Sequence, residues 1–178
     1  MNTFKSLLYR KLALLSAVFV FLLGTSVAHA QLAFYGGFSG GPVGGTGVSA
    51  AYGPVVGAYV QSGRFIALSF GADARGTFLS HNGFNYYTGA AGPRLSFKAP
   101  ILPLRPYVEG LVGAANFNNG SGTSSSTKFN YQVIGGLDST ILPHLDWRVI
   151  EVSYGQLNTY SGRLRPVTIS TGITLRLH

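Results

Sequence analysis

Cysteine is absent from this 178-residue chain, and acidic residues are scarce. Without a thiol the chain has neither a disulfide nor a thiolate metal site, so its stability must come from packing or from lipid. Asp and Glu together number 5, against 13 Lys and Arg. The basic residues are scattered one per strand or turn rather than clustered, so nucleic-acid binding is a poor interpretation of the positive charge.

Beyond the N-terminus, no apolar run approaches the length of a membrane helix. The N-terminus has the three parts of a secretory signal: basic residues up to Lys11, an apolar run over 12–23, and the small-x-small sequence at 28–30. We predict a cleaved Sec signal peptide over residues 1–30 and one domain over residues 31–178. The 13 basic residues less three in the signal, against five acids, leave a mature net charge of about +5.

What is present is a repeated alternation of oily and polar residues. In the last stretch, the odd positions from Val167 to Leu177 are apolar or β-branched, and the even positions from Thr168 to Arg176 are small, polar or charged. A period of two indicates a strand with one oily face, here long enough to cross a bilayer at a tilt. We predict eight such strands, at residues 31–39, 50–61, 65–78, 85–98, 104–118, 128–142, 145–158 and 166–178.

The connections are expected to alternate in length. Long polar loops are predicted after strands one, three, five and seven, including 80–83, 119–127 and 159–165, and short turns after strands two, four and six. An up-and-down barrel with both termini on the periplasmic side has this asymmetry. Aromatic residues near both strand ends indicate two interfacial girdles, formed by Phe78, Phe84, Tyr86, Phe117, Phe129, Tyr154 and Tyr160 at the loop side and by Phe65, Phe97, Tyr107 and Trp147 at the turn side.

All five acids lie in predicted strands. A narrow barrel in lipid has an apolar exterior and a polar, charged interior, and isolated charges there are costly, so they should pair. An ion-paired plug that fixes the barrel's shape is favoured over a gate for ions. The predicted lumenal charge network consists of Asp73, Arg75, Arg94, Glu109, Lys128, Asp138, Glu151 and Arg176.

Two strands carry a local difficulty. In the seventh, Arg148 and Glu151 cannot both face inward without a bulge, so we expect Glu151 inside and Arg148 snorkelling at the membrane edge. In the second, Pro54 removes a backbone donor, which predicts a bulge or a strand start there.

The whole mature chain resembles the small bacterial outer-membrane β-barrel superfamily. It is similar in plan to the OmpA transmembrane domain, OmpX and the opacity-protein-like surface antigens, both in its alternating strands and in the segments RPYVEGLVGA (105–114) and LPHLDWR (142–148). Ser170, Gly172, Leu175 and Leu177 resemble the terminal signal that the barrel-assembly machinery reads in that family, although the family usually ends on an aromatic residue. The resemblance implies an eight-stranded antiparallel up-and-down transmembrane β-barrel in the outer membrane of a diderm bacterium.

The resemblance implies no single function, because the family holds structural anchors, adhesins, narrow channels and a few lipid-modifying enzymes. We expect a monomer in outer-membrane lipid with a structural or surface-interacting role through its loops. A narrow ion channel and a lipid-modifying enzyme remain alternatives, as does a soluble secreted β-barrel or sandwich in the periplasm.

Enzymatic chemistry finds little support in the residues. A lipid hydrolase needs a nucleophile, a base and an acid, and the candidates are His81 with Ser80 or Ser139. The chain lacks the His-x-Ser spacing of the barrel lipid A deacylases, so an ordinary surface histidine is favoured. No pair of His or carboxylate residues recurs at the spacing of metal ligands. The Gly-rich stretch 36–47 is not followed by a helix or by a Lys-Ser/Thr pair, so it does not have the pattern of a phosphate-binding loop. We predict no catalytic, cofactor-binding or metal-binding residue.

Overall fold

The computed structural model describes residues 31–44, 50–65, 67–98, 103–118, 126–159 and 162–177. The predicted signal peptide and most of the predicted loop at 119–127 lie outside these ranges. No helix in the described ranges is long and apolar enough to cross a membrane. The strands are β1 (Gln31–Gly41), β2 (Val43–Gly44), β3 (Ala51–Phe65), β4 (Leu68–His81), β5 (Phe84–Phe97), β6 (Leu104–Asn118), β7 (Ser126–Leu142), β8 (Leu145–Thr159) and β9 (Gly162–Leu177).

Each long strand pairs antiparallel with its neighbours in the chain, and β1 pairs with β9 to close the sheet. The short strand β2 continues β1 beyond Pro42 along the same edge of β9, with Val43 opposite Pro166. The eight long strands therefore form a closed up-and-down barrel, and the predicted fold is confirmed. We call the end with Gln31 and Leu177 the turn end, and the opposite end the loop end.

The two faces of the sheet are inverted relative to a water-soluble protein. Asp73 and Glu151 are 2% and 0% exposed, whereas Phe70 and Ile169 on the outer face are 56% and 57% exposed. Water-soluble sheets bury their hydrophobic residues and expose their charges. A charged interior and an apolar exterior are typical of a barrel embedded in lipid.

Two connections predicted as long loops are shorter than expected, because the strands on either side of them are longer. β4 continues to His81 and β5 begins at Phe84, so only Asn82 and Gly83 lie between them, both with positive φ (46° and 81°). Asn-Gly with two left-handed residues is the preferred two-residue hairpin turn. β9 likewise begins at Gly162, so the predicted loop at 159–165 is mostly strand. Both predictions were wrong because polar, Gly-containing strand ends were interpreted as loop.

Pro54 does not cause the predicted bulge. The pairs on either side of it, Tyr52 with Ser80 and Val55 with Thr77, keep one register between β3 and β4. Pro54 itself pairs with Phe38 of β1 on its other side. The missing donor is thus accommodated by a local gap in one ladder, without an extra residue.

The aromatic girdles are formed by part of the predicted set. Phe78, Phe129 and Tyr154 near the loop end, and Phe97 and Trp147 near the turn end, are exposed on the outer face. Four other members of the prediction are wrong, because Phe84, Tyr86 and Tyr107 are buried inside the barrel and Phe117 packs against the buried cluster that contains Phe84 and Tyr86. Their positions near strand ends suggested girdles, but strand parity turns them inward.

Candidate functional site in the barrel lumen

The lumen in the turn-end half is crossed by a ring of alternating charges. Three arginines and three acids from five consecutive strands take part, and every one is at most 6% exposed. Each acid contacts two arginines and each arginine contacts two acids, so the ring has no open end. In order around the ring, this charge ring consists of Arg75, Glu109, Arg94, Asp138, Arg148 and Glu151.

Arg75 holds the strongest pair of the ring. Its two terminal nitrogens donate to the two Glu151 oxygens at 2.8 and 2.9 Å, and one of them also donates to Glu109 at 3.2 Å. Two parallel bonds from a planar guanidinium to one carboxylate combine geometric specificity with charge attraction. Asp73, outside the ring, lies 3.6 Å from the Arg75 Nε.

Arg94 and Arg148 complete the ring through Asp138. Arg94 donates to Glu109 and, at 3.0 Å, to Asp138. Arg148 donates from Nε to Asp138 at 3.2 Å and from Nη1 to Glu151 at 3.0 Å. Because buried charges are stable only when they are paired and hydrogen-bonded, this closed arrangement lets six of them fill one layer of the lumen.

Three tyrosines that the sequence analysis did not assign to the site line the ring. The Tyr107 hydroxyl donates to Glu151 at 2.6 Å, and the Tyr35 hydroxyl donates to Asp73 at 2.8 Å. The Arg94 guanidinium lies 4.2 and 3.7 Å from the ring centroids of Tyr59 and Tyr107, within range of cation–π attraction. The three tyrosines occupy positions whose side chains face inward in the alternation of their strands. This alternation is the feature of the sequence that could have assigned them to the lumen.

Two of these tyrosines depend on a glycine in the neighbouring strand. Tyr35 pairs with Gly57, and Tyr107 pairs with Gly136. A Cβ built on Gly57 would lie 2.4 Å from the Tyr35 hydroxyl oxygen, and one on Gly136 would lie 2.3 Å from the Tyr107 ring. Each tyrosine therefore lies flat against backbone that only glycine leaves uncovered.

Arg148 does not snorkel at the membrane edge, and that prediction was wrong. It is 2% exposed and belongs to the charge ring. The register of β8 shifts between Arg148, opposite Gly172, and Glu151, opposite Ser170. This bulge brings both charges inside, as parity required. Counting charges would have indicated that Arg148 is buried, since the five buried acids need five arginines as partners.

A second, smaller ion group, the turn-end cluster, lies beyond the ring and consists of Asp146, Arg176 and Arg105. Asp146 contacts Arg176 at 2.9 Å and Arg105 at 3.5 Å. Arg176 was in the predicted network, whereas Asp146 and Arg105 were not. With Asp73, the ring and this cluster contain all five acids of the chain and five arginines, so the formal charges of this layer balance.

Lys128 is the member of the predicted network that the structure places elsewhere. It is half-buried near the loop end of β7, opposite Ala115. Ten residues of extended strand, about 33 Å, separate it from Asp138. Lys128 shares the inward parity of Asp138 but lies too far along the strand to join the ring.

The loop-end half of the lumen is filled differently. Leu79, Phe84 and Leu157 are at most 2% exposed and pack together with their neighbours. Between this layer and the ring lies a cavity of about 10 Å³, lined largely by hydroxyl-bearing side chains such as Ser39, Thr77 and Thr168. That volume is about enough for one water molecule. This apolar plug consists of Val43, Ala51, Leu79, Phe84, Tyr86, Ala115, Leu157 and Leu164.

The candidate catalytic residues His81 and Ser139 are not brought together, and Ser80 is the neighbour of His81 in β4. His81 lies at the loop end with its ring 5.6 Å from that of Tyr52. Ser139 pairs with Trp147 near the turn end, and its neighbour Asp138 is held by two arginines. Within the described ranges, no group of three or more His, Asp or Glu residues has the arrangement of a metal site.

The residues of the predicted assembly signal occupy the strand that closes the barrel. Ser170 is buried and its hydroxyl donates to the Ser39 hydroxyl of β1 at 2.9 Å. Gly172 packs against Gly36 and Gly37 of the same strand. Leu175 and Leu177 are exposed on the outer face. Their recognition by assembly machinery stays a prediction.

Comparison with known proteins supports the fold through structure rather than sequence. No family model matches the chain, and no curated protein matches it. Neisserial surface protein A is 17% identical, covers 83% of this chain and 96% of its own, and has a TM-score of 0.55. The N-terminal β-barrel domain of Pseudomonas aeruginosa OprF is 12% identical, covers 84% and 100%, and has a TM-score of 0.52.

The attachment invasion locus protein Ail of Yersinia pestis is also similar, with 17% identity, coverage of 84% and 99%, and a TM-score of 0.50. At this level of identity, the three proteins share an architecture with the chain. Together with the closed antiparallel sheet and the apolar exterior, they show that the chain has the fold of the small eight-stranded outer-membrane β-barrels.

Proposed function

We propose that this protein is an integral outer-membrane barrel whose lumen is filled and does not conduct ions, and whose role is structural or surface-interacting through its loop end. The closed charge ring is the observation that carries this proposal. An ion path through the lumen would have to pass a layer in which each ring charge already has two partners.

The energetics of the ring favour a plug over a gate. Separating one partner from a buried ion pair costs about 3–5 kcal/mol, because a charge is left unpaired in a medium of low dielectric. Opening the ring at any one arginine would leave two carboxylates each short of a partner. The apolar plug lies in series with the ring and adds a second, apolar barrier.

The same proposal covers the surroundings of the barrel. The outer face would be solvated by outer-membrane lipid, and the chain would be a monomer folded by the barrel-assembly machinery through Ser170, Gly172, Leu175 and Leu177. No enzymatic role is part of the proposal. His81 and Ser139 lie far apart along the barrel, which does not favour a catalytic site formed by these two residues.

The first experiment is gel mobility of the mature protein from an outer-membrane fraction, with and without boiling. A folded barrel of this kind resists the detergent and shifts on heating. A heat-dependent shift in that fraction is the expected result. Recovery from the periplasm without a shift would contradict membrane insertion.

The second experiment is planar-bilayer recording of the folded protein. The expected result is a silent bilayer, because the ring and the plug both close the lumen. Stable, charge-selective openings at low voltage would contradict the filled lumen and favour the narrow channel. Hydrolysis of lipid A or phospholipid that is lost on His81→Ala would instead favour the enzyme.

A further inference from the structure

A polar layer separates the charge ring from the apolar plug inside the lumen. Arg75 of the ring and Tyr86 of the plug both line the small cavity in this layer. Serine and threonine side chains from five strands form much of the remaining wall, so hydroxyl groups surround the cavity from several sides. We call these side chains the hydroxyl belt, which consists of Ser39, Thr77, Thr88, Ser153, Thr168 and Ser170.

Two buried side chains of the same region have polar atoms without a hydrogen-bond partner among the described residues. One is Tyr86, which is 2% exposed and whose hydroxyl is unpaired. The other is Asn130, which is 0% exposed and in which both the Oδ1 and the Nδ2 atoms are unpaired. Buried polar groups are almost always hydrogen-bonded, either to protein or to ordered water, because an unsatisfied group is costly. The two side chains therefore indicate a ligand that the protein itself does not supply.

Asn130 borders the cavity at Gly155. Asn130 pairs with Leu157 of β8, and Gly155 is the next inward-facing position along that strand and lines the cavity. A Cβ built on Gly155 would lie 3.7 Å from the Asn130 Oδ1 atom. Because glycine has no side chain, nothing at this position separates the amide from the cavity. An acceptor from β7 and the Tyr86 hydroxyl from β5 thus border one space.

The size and the chemistry of this space select its ligand. A volume of about 10 Å³ is close to what one water molecule requires. An internal water typically makes about three hydrogen bonds. Here it can accept from the Tyr86 hydroxyl and donate to Asn130 Oδ1 and to one oxygen of the hydroxyl belt. We propose that the cavity binds one internal water molecule, held by Tyr86, Asn130 and the hydroxyl belt.

This proposal rests on the filled lumen of the proposed function. A water enclosed between the charge ring and the apolar plug can leave only when the barrel opens locally, so it should stay bound for long periods. An open pore would instead hold water that exchanges rapidly with the solvent. The Tyr86 hydroxyl supplies one of several bonds, so its removal alone should leave the water bound to its other partners.

The test measures water contacts in the folded mature protein by NMR in detergent micelles. Water-selective NOE and ROE spectra report on the backbone amides of Gly155 and Thr168, both of which line the cavity. A long-lived water gives NOE and ROE cross-peaks of opposite sign, whereas rapidly exchanging water gives cross-peaks of the same sign. We expect cross-peaks of opposite sign at both amides.

A matched pair of variants separates the water from the hydroxyl groups around it. Ser153→Thr keeps the hydroxyl and adds a methyl group to a cavity of one-water size, so both cross-peaks should be lost. Ser96→Thr makes the same change at a buried position near the turn end, away from the cavity, and should retain them. Asn130→Leu removes the amide at similar volume and should also lose both cross-peaks. Heat-dependent gel mobility shows which variants are folded.

The remaining outcomes would overturn the proposal. Absence of both cross-peaks in the wild type would do so directly. Cross-peaks that persist in folded Ser153→Thr, or in folded Asn130→Leu if the first variant does not fold, would arise from hydroxyl protons rather than from a bound water. Loss of the cross-peaks in Ser96→Thr as well would show a general effect of packing. Cross-peaks of the same sign in the wild type would show freely exchanging water and would count against the filled lumen itself.

Discussion

The two halves of the lumen are closed by opposite means. In the turn-end half, six charges close the barrel through directional bonds, and each has two partners. In the loop-end half, a cluster of aliphatic and aromatic side chains closes it by packing. The ring needs residues at fixed positions and orientations, whereas the plug needs only apolar volume. The ring should therefore be sensitive to the loss of single atoms, and the plug to the loss of volume.

The largest expected effect is that of breaking the ring at Arg148. Arg148→Met removes one partner from Asp138 and one from Glu151, so we expect a loss of about 3–5 kcal/mol in the free energy of unfolding. Urea unfolding in lipid vesicles, followed by the fluorescence of the single tryptophan, Trp147, would measure it. The matched control is Arg105→Met, whose side chain is 17% exposed and whose contact is 3.5 Å long. Equal losses in both variants would show that the ring has no special role.

Removing volume from the plug tests the other half of the comparison. Leu157→Ala leaves a cavity at a fully buried position and should cost about 3 kcal/mol in the same unfolding measurement. Planar-bilayer recordings of this variant should stay silent, because the ring is intact. Currents through Leu157→Ala would mean that the plug, rather than the ring, closes the lumen.

A smaller effect is expected at Gly136, which leaves room for the side chain of Tyr107 beside the charge ring. Gly136→Ala would place a methyl group against the Tyr107 ring, and displacing that ring should cost about 1–3 kcal/mol. Combining it with Tyr107→Ala relieves the clash, so the two losses should not add in a double-mutant cycle. Strictly additive losses would show that the tyrosine and the glycine act independently.

Removing single hydroxyl groups sharpens the contrast, and the smallest effect of all is expected in the plug layer. Tyr107→Phe removes a bond to the charged Glu151 and should cost about 1.5–3 kcal/mol. Tyr86→Phe removes a buried hydroxyl of the plug layer that has no hydrogen-bond partner among the described residues, so the free energy of unfolding should change by less than about 0.5 kcal/mol. A larger loss for Tyr86→Phe than for Tyr107→Phe in urea unfolding would reverse the assignment of polar and apolar layers.

Much of the barrel could be predicted because alternation is a local property. The parity of Asp73, Arg75 and Glu109 follows from their own strands, and the structure has them inside. The loops at 80–83 and 159–165 were mispredicted because the length of a turn depends on where two strands stop pairing. Arg148 was misplaced for a similar reason, since a bulge of one residue reverses parity and is fixed by both neighbouring strands.

The sequence by itself determined the strands, the two faces of each strand, and a lumen in which every acid would need a basic partner. The tertiary structure alone decided which partner each acid has, because the distance along a strand and the register between strands set which charges share a layer. For this reason Lys128 lies far from Asp138, and Arg148, Arg105 and Asp146 join the paired groups. The tyrosines beside the ring were likewise decided by packing, since Tyr35 and Tyr107 each lie against a glycine from the neighbouring strand.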